Sequence, residues 1–300
     1  MFNCTSINII AGYISNRLRG PLLRALNTIN SDVTEIRLNL GQPVSLIFPD
    51  RKGFLTLNNI TYSFCNSSVL KCTNEDIKDT IAAITHFSFH SHTREFKLGY
   101  FVIEEGIRAG ISGIYNSDGI ITDITGVCFR ISRTVIGCAN ELIKLLDNDK
   151  GLLICGGVNS GKTTILRDIC RIIGNKYKVA LIDERNEIAT ISEGKVCNDV
   201  GILTSIMSGC TRSVGIISSI RSLSPEYIIC DEIADDSDTE ALILGAGCGI
   251  KFIATVHANN YEALKERPFA KKILSSNLFS HAIFLSGAVK PGSICSVYEI

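Results

Sequence analysis

The sequence has no net charge, no long apolar run and no paired cysteine motif, and each absence closes off a class of protein. Thirty basic residues balance thirty acidic ones, so no long-range field draws the chain onto nucleic acid or an anionic membrane. Mean hydropathy is high, at +0.23. Even so, apolar runs such as LLIC at 152–155 and YIIC at 227–230 fall far short of the roughly 20 residues a membrane-spanning helix needs. The start, MFNCTSINIIAGYISNRLRG, lacks a basic region, an apolar core and a small-residue cleavage site, so no secretory leader is expected. Twelve cysteines are scattered singly, with no C-x-x-C pair. They read as small buried hydrophobes in a reducing cytosol rather than a disulfide or metal framework. The sequons at Asn3, Asn59 and Asn66 then carry no meaning. No internal repeat and no low-complexity linker interrupts the chain.

What is present suits two ordinary globular domains: 300 residues, 45% hydrophobic and 20% charged. In the first half, residues 8–29 carry apolar positions at helical spacing and are interrupted at Gly20-Pro21, which predicts two short helices. TEIRLNL, PVSLIF and GFLTL read as strands. A helix is expected from Thr73, where Thr-Asn-Glu-Asp supplies a cap and an acidic first turn. GYFVIEEGIRAGISGIY reads as paired strands joined at Glu-Glu-Gly, and CFRISR at 128–133 as another strand. ANELIKLLDND at 139–149 is predicted to be a bridging helix.

From 151 the pattern changes to strand–loop–helix units. GLLICGG, KVALIDE, EYIICDE and KFIATVHA are strands, alternating with the helices TTILRDICRII, TRSVGIISSIRSL and TEALILGAGCG. That alternation predicts a parallel sheet covered on both faces.

The strongest motif is Gly156-Gly157-Val158-Asn159-Ser160-Gly161-Lys162-Thr163-Thr164. It fits G-x-x-x-x-G-K-[ST], with a strand before it and a helix after it. Glycines let successive N–H groups turn inward around phosphates, and the helix N-terminus adds its positive end. Lys162 would reach the β and γ phosphates of a triphosphate, and the Thr163 hydroxyl would ligate magnesium. Downstream, Tyr227-Ile228-Ile229-Cys230-Asp231-Glu232 is an apolar strand ending in two acids. Asp231 would hold the metal's water shell and Glu232 would orient the attacking water. That catalytic glutamate argues for hydrolysis.

LIDERNE at 181–187 and ATVHAN at 254–259 complete a motif order that resembles the RecA-like ATPases of type II and type IV secretion and pili. GGVNSGKTTILRDICR, LIDERNEIA, SIRSLSPEYIICDEIA and ATVHAN look still more like the stage III sporulation AA family of endospore-forming bacteria. TEIRL, GYFVIEEGIRAGISG and FRISR extend the likeness over nearly the whole chain. The resemblance implies a RecA-like P-loop core at roughly 146–300, preceded by a smaller α/β regulatory or docking domain at roughly 1–145. It implies that His257 senses the γ-phosphate or couples hydrolysis to movement, and that Asp183, Glu184 and Glu187 belong to the water- and metal-organising cluster, without saying which acid matters. Arg221 matches an arginine of the superfamily, and Arg130 and Arg133 resemble N-domain arginines that reach the nucleotide in related enzymes; surface salt bridges account for them equally well. Related motors often carry Gly-Glu where this chain has Asp231-Glu232.

The implied activity is magnesium-dependent hydrolysis of ATP by a homo-oligomeric, hexameric ring. The ring would dock through integral-membrane sporulation channel proteins on the cytoplasmic, mother-cell side of a membrane, with no direct nucleic-acid partner. A DNA translocase and a non-hydrolysing ATP-dependent ring stand as alternatives. The triad His86, His90 and His92 could share a metal, but FSFHSH lacks helical character and no nearby cysteine completes a site.

Overall fold

The computed structural model describes the chain apart from residues 1–2, 27–28, 30–32, 132–134, 147–149, 193 and 288–290, and describes only the backbone of residues 3–5. The chain divides into two compact units, residues 1–132 with 191–197 and residues 133–190 with 198–300.

The first unit begins with helices α1 (Asn3–Tyr13) and α2 (Asn16–Leu26). The break falls between them at Ile14-Ser15, not at the expected Gly20-Pro21. Pro21 shares one buried face with Leu18, Leu22 and Ala25. Burying its ring there offsets the one helical hydrogen bond it cannot make. Strands β1 (Glu35–Asn39), β2 (Ser45–Ile47), β3 (Lys52–Leu55) and β4 (Ile60–Thr61) follow, then α3 (Asn74–Ile84). Thr73 caps α3 in a reciprocal box with Asp76. A 3-10 turn at Phe89–His92 leads into α4 (Thr93–Leu98), so the segment read as lacking helical character is helical. Strands β5 (Tyr100–Val102), β6 (Arg108–Tyr115) and β7 (Ile121–Arg130) complete an antiparallel sheet in the order β4-β3-β2-β1-β7-β6-β5. Strand β7 starts well before the predicted CFRISR.

The second unit opens with α5 (Asn140–Ile143), much shorter than the predicted bridge. Then come β8 (Gly151–Cys155), α6 (Lys162–Ile173) and β9 (Val179–Asp183). The hairpin of β10 (Ile191–Ser192) and β11 (Lys195–Val196) is part of the first unit, where Ser192 Oγ donates to the Val102 carbonyl at 3.2 Å. The chain continues as β12 (Thr204–Ser208), α7 (Arg212–Leu223), β13 (Tyr227–Cys230), α8 (Asp236–Ala246) and β14 (Lys251–Val256). It closes with α9 (Tyr261–Lys265), α10 (Pro268–Ser275), β15 (Phe279–Leu285) and β16 (Ile294–Glu299).

The sheet order is β12-β9-β13-β14-β8-β15-β16, parallel except for the β15–β16 pair. Strands β8, β9 and β13 are buried at every residue, as a sheet covered on both faces requires. Alternation sorts them: Leu152, Ile154, Leu181 and Ile229 face Ile165, Leu166 and Ile169 of α6. Leu153, Cys155, Ile182 and Cys230 face Ile216 of α7, Leu242 of α8 and Ile273 of α10. Among the described residues no helix is long and apolar enough to cross a membrane.

Cysteine burial is mixed. Cys72, Cys155, Cys170 and Cys230 are buried, but Cys65, Cys248 and Cys295 are exposed. Burial pushes the thiols of Cys155, Cys170 and Cys230 up to about 12, which keeps them protonated and unreactive.

Candidate functional site

The carboxyl ends of β8, β14, β13 and β9 lie side by side: Cys155 pairs with Val256, Ala254 with Cys230, and Cys230 with Ile182. Residues that follow these strands therefore line one edge of the sheet, where parallel α/β folds place their ligands.

After β8 the chain makes a tight loop. Asn159 and Gly161 take left-handed backbone angles, φ +58° and +92°. Ser160 Oγ donates to the Gly157 carbonyl at 2.9 Å. No side chain caps α6 at Gly161, which leaves its first-turn N–H groups facing the loop. Lys162 Nζ donates to the Gly156 and Gly157 carbonyls at 2.8 and 2.7 Å. Burial lowers the affinity of that ammonium for its proton, against the pull of Asp231 and Glu232. The turn before β16 braces the loop from outside, with Gly292 N donating to the Ser160 carbonyl at 2.8 Å. Val158 is largely exposed, and Thr164 is half-buried with its carbonyl 3.8 Å from Cys138 Sγ.

Two hydroxyls hold Asp231. Thr163 Oγ1 donates to its Oδ2 at 3.0 Å, and Thr255 Oγ1 donates to its Oδ1. The same Thr255 oxygen accepts the Glu232 N–H at 2.7 Å. Glu232 has a left-handed φ of +53°, an uncommon and strained angle for this residue type. Its carboxylate Oε2 lies 2.8 Å from Arg185 Nη1.

The loop after β9 is built around a buried acid. Asp183 is 2% exposed. Its Oδ1 accepts the Glu187 N–H at 2.9 Å, and its Oδ2 accepts those of Ile188 and Ala189 at 3.1 and 2.9 Å. Burial raises its carboxyl above the ordinary range despite these three donors. Arg167 of α6 donates to the Glu187 and Ile188 carbonyls at 2.6 and 3.0 Å. Glu184 pairs with Arg212 at 2.5 Å, and Arg212 pairs with Asp238 at 2.9 Å. The Arg212 side chain, on the first turn of α7, is only 12% exposed.

The structure thus gathers Gly156 to Thr164, Asp183, Glu184, Glu187, Asp231, Glu232 and the start of the His257 loop at one edge. His257 directly follows β14, and its carbonyl accepts from Arg267 at 3.0 Å. Within the second unit, Arg221 is not brought there. Arg221 is exposed on the last turn of α7, just before β13 begins and hence toward the opposite edge. Arg130 ends β7 in the first unit, 3.5 Å from Glu35. Arg133 lies outside the described residues. His92 pairs with Glu95 at 3.7 Å, and among the described residues no group of three or more His, Cys, Asp or Glu could hold a metal ion.

Sequence reasoning missed Thr255, Arg167, Arg185 and the pairing of Arg212. A lone threonine inside the apolar strand KFIATV was the one legible sign of the first.

The donor set fits a magnesium-bound triphosphate. Thr163 and Asp231 present hard oxygens at hydrogen-bond distance from one another, the ligand chemistry magnesium prefers. A loop whose cation turns back onto its own carbonyls has a charge available for a phosphate.

The sequence profile of the family described as "Sporulation stage III, protein AA" matches residues 7–300. Stage III sporulation protein AA of Bacillus subtilis (strain 168) is 31% identical over 305 aligned residues, covering 98% of this chain and 95% of that protein. Among solved structures, the pilus retraction motor PilT with bound ADP matches with a TM-score of 0.58 at 16% identity, over 86% of this chain and 76% of that one. The ATPase DotB of Legionella pneumophila matches at 0.53 and 16%, over 84% and 71%. At such identity the two structures speak for the fold alone, and that fold is RecA-like.

Proposed function

Because the chain belongs to the sporulation stage III protein AA family, we propose that it is a magnesium-dependent ATPase serving a secretion-like channel in endospore formation. The observation that carries this reading is the bond between Thr163 and Asp231 beside an uncapped glycine loop.

In this mechanism the amides of residues 156–164 bind the phosphates, and Lys162 exchanges the Gly156 and Gly157 carbonyls for phosphate oxygens. Thr163 and Asp231 hold the magnesium ion. When bound, that ion neutralises charge on the phosphates and the leaving group. Thr255 keeps Asp231 oriented. Glu232 orients water for attack and accepts its proton. Asp183 shapes the neighbouring loop rather than meeting water, since it is buried and takes three of that loop's N–H groups. The affinity of the fold for ring-forming motors supports a hexamer working through integral-membrane partners at the cytoplasmic face of the mother cell.

Phosphate release by wild type and Glu232→Gln tests this reading. The variant should bind ATP and release no phosphate. Equal turnover in both would remove Glu232 from its role. No turnover in correctly assembled wild type would favour a ring that uses ATP only to assemble.

A further inference from the structure

We propose that Arg212 is a positioning residue for hydrolysis: through Asp238 and Glu184 it braces the backbone that holds Glu232 in its left-handed turn. The proposal rests on the ATPase reading above and gives Glu184 the role of an anchor rather than of a metal or water ligand.

A glutamate at φ +53° stays there only where its surroundings over-determine it. After β13 three successive backbone N–H groups are taken. That of Glu232 goes to Thr255 Oγ1 at 2.7 Å, that of Ile233 to the Thr255 carbonyl at 2.8 Å, and that of Ala234 to Asp238 Oδ2 at 3.2 Å. The first two partners belong to β14, the middle strand of the sheet, and are fixed by it. Asp238 is placed differently. It sits on the first turn of α8, where its own N–H is taken by the cap residue Asp235 at 3.0 Å. Its carboxylate needs a separate support.

Arg212 is that support. Its Nε donates to Asp238 Oδ2 at 2.9 Å, the same oxygen that takes the Ala234 N–H, and its Nη1 donates to Glu184 Oε2 at 2.5 Å. Glu184 follows Asp183, whose carboxylate takes three N–H groups of its loop and whose carbonyl takes the Ser208 hydroxyl at 3.1 Å. One guanidinium therefore ties together the segments that follow β9, β12 and β13. The side chains of Arg212 and Asp238 are only 12% and 5% exposed. Buried ion pairs are a poor source of stability, since apolar side chains of the same volume often do as well. What this one supplies is direction: a planar fork fixes two carboxylates at set angles, which an ammonium does not. Without it the Asp238 carboxylate loses its orientation and the Ala234 N–H its partner. Glu232 then relaxes out of its turn, while Lys162, Thr163 and Asp231 keep their own bonds.

The test separates turnover from binding in the full-length protein. Phosphate release at saturating ATP, and calorimetric affinity for adenylyl imidodiphosphate with magnesium, are measured in wild type, Arg212→Gln, Arg212→Lys, Glu184→Gln and the Glu184→Gln/Arg212→Gln double variant. Turnover should fall about 100-fold in Arg212→Gln, the scale of a reacting group displaced by about an ångström, with affinity unchanged. Arg212→Lys should recover part of the rate. Glu184→Gln should lose about tenfold, the scale of one charge-assisted hydrogen bond. The double variant should be no slower than Arg212→Gln alone, because the two residues act as one unit. Should Arg212→Gln not fold with Asp238 left buried and unpaired, Arg212→Lys, Glu184→Gln and their double variant carry the same comparison. Losses that multiply, turnover equal to wild type, or affinity that falls in step with turnover would overturn the proposal and leave the ATPase reading standing. Wild type that releases no phosphate would overturn both.

Discussion

Thr163, on the first turn of α6, and Asp231, just after β13, meet through a 3.0 Å hydrogen bond although 68 positions separate them in sequence. The bond exists because β14 lies between β8 and β13 and contributes Thr255, which grips the other oxygen of Asp231. The proposed magnesium site is therefore made by strand order, and three strands must be in register for it to form.

The first consequence concerns Thr255. Replacing it with valine keeps the shape and removes both the donor to Asp231 and the acceptor for the Glu232 N–H. Partners of metal ligands typically set about 10–100-fold in metal affinity. Thr255→Val should weaken magnesium dependence of ATP binding by that order with the fold intact, as magnesium titrations and circular dichroism would show.

Gly161 tests the loop's geometry. Its φ is +92°, and an added Cβ would lie 2.8 Å from Gly292 N. A left-handed angle alone costs an L-residue about 1–2 kcal/mol. Gly161→Ala should lower the melting temperature by a few degrees, since about 1 kcal/mol moves a domain of this size by roughly 2–4 °C. It should also weaken ATP binding, because the amides on either side must shift.

Asp76 sets a pH dependence in the first unit. Burial opposes its ionisation, but Arg17, Ser15 and Thr73 donate to it and hold its carboxyl well below the ordinary value of 3.8. A depressed carboxylate adds stability above its unfolded value and loses it as pH falls through the folded one. Asp76→Asn should therefore cost about 1–3 kcal/mol near neutrality, the price of stranded donors. The gap from wild type should close below pH 4. Denaturant melts at several pH values check both statements.

Much of the site was legible because its chemistry is local. The run from Gly156 to Thr164 and the pair Asp231-Glu232 each sit inside one strand–loop segment, with residue types that need no tertiary information. The fold class followed from the same alternation. Sequence could not give what depends on strand order: that Thr255 reaches Asp231, or that Arg185 reaches Glu232. Both were hidden inside motifs read for other residues. Arg212 is another case: two acids from other segments, Glu184 and Asp238, make its burial tolerable, and neither pairing is visible in the sequence of its own helix. Pro21 misled in the opposite direction. A proline within a helical pattern reads as a break, yet here its ring fills a core position.

The most direct test of the account is magnesium-dependent ATP affinity of the full chain, wild type against Lys162→Ala. Among the described residues Lys162 bonds carbonyls of its own loop, so its removal should leave folding nearly unchanged. The account predicts saturable ATP binding by wild type that depends on magnesium, and at least about a tenfold loss in the variant. Folded wild type without magnesium-dependent affinity, or a variant that binds as tightly, would contradict it.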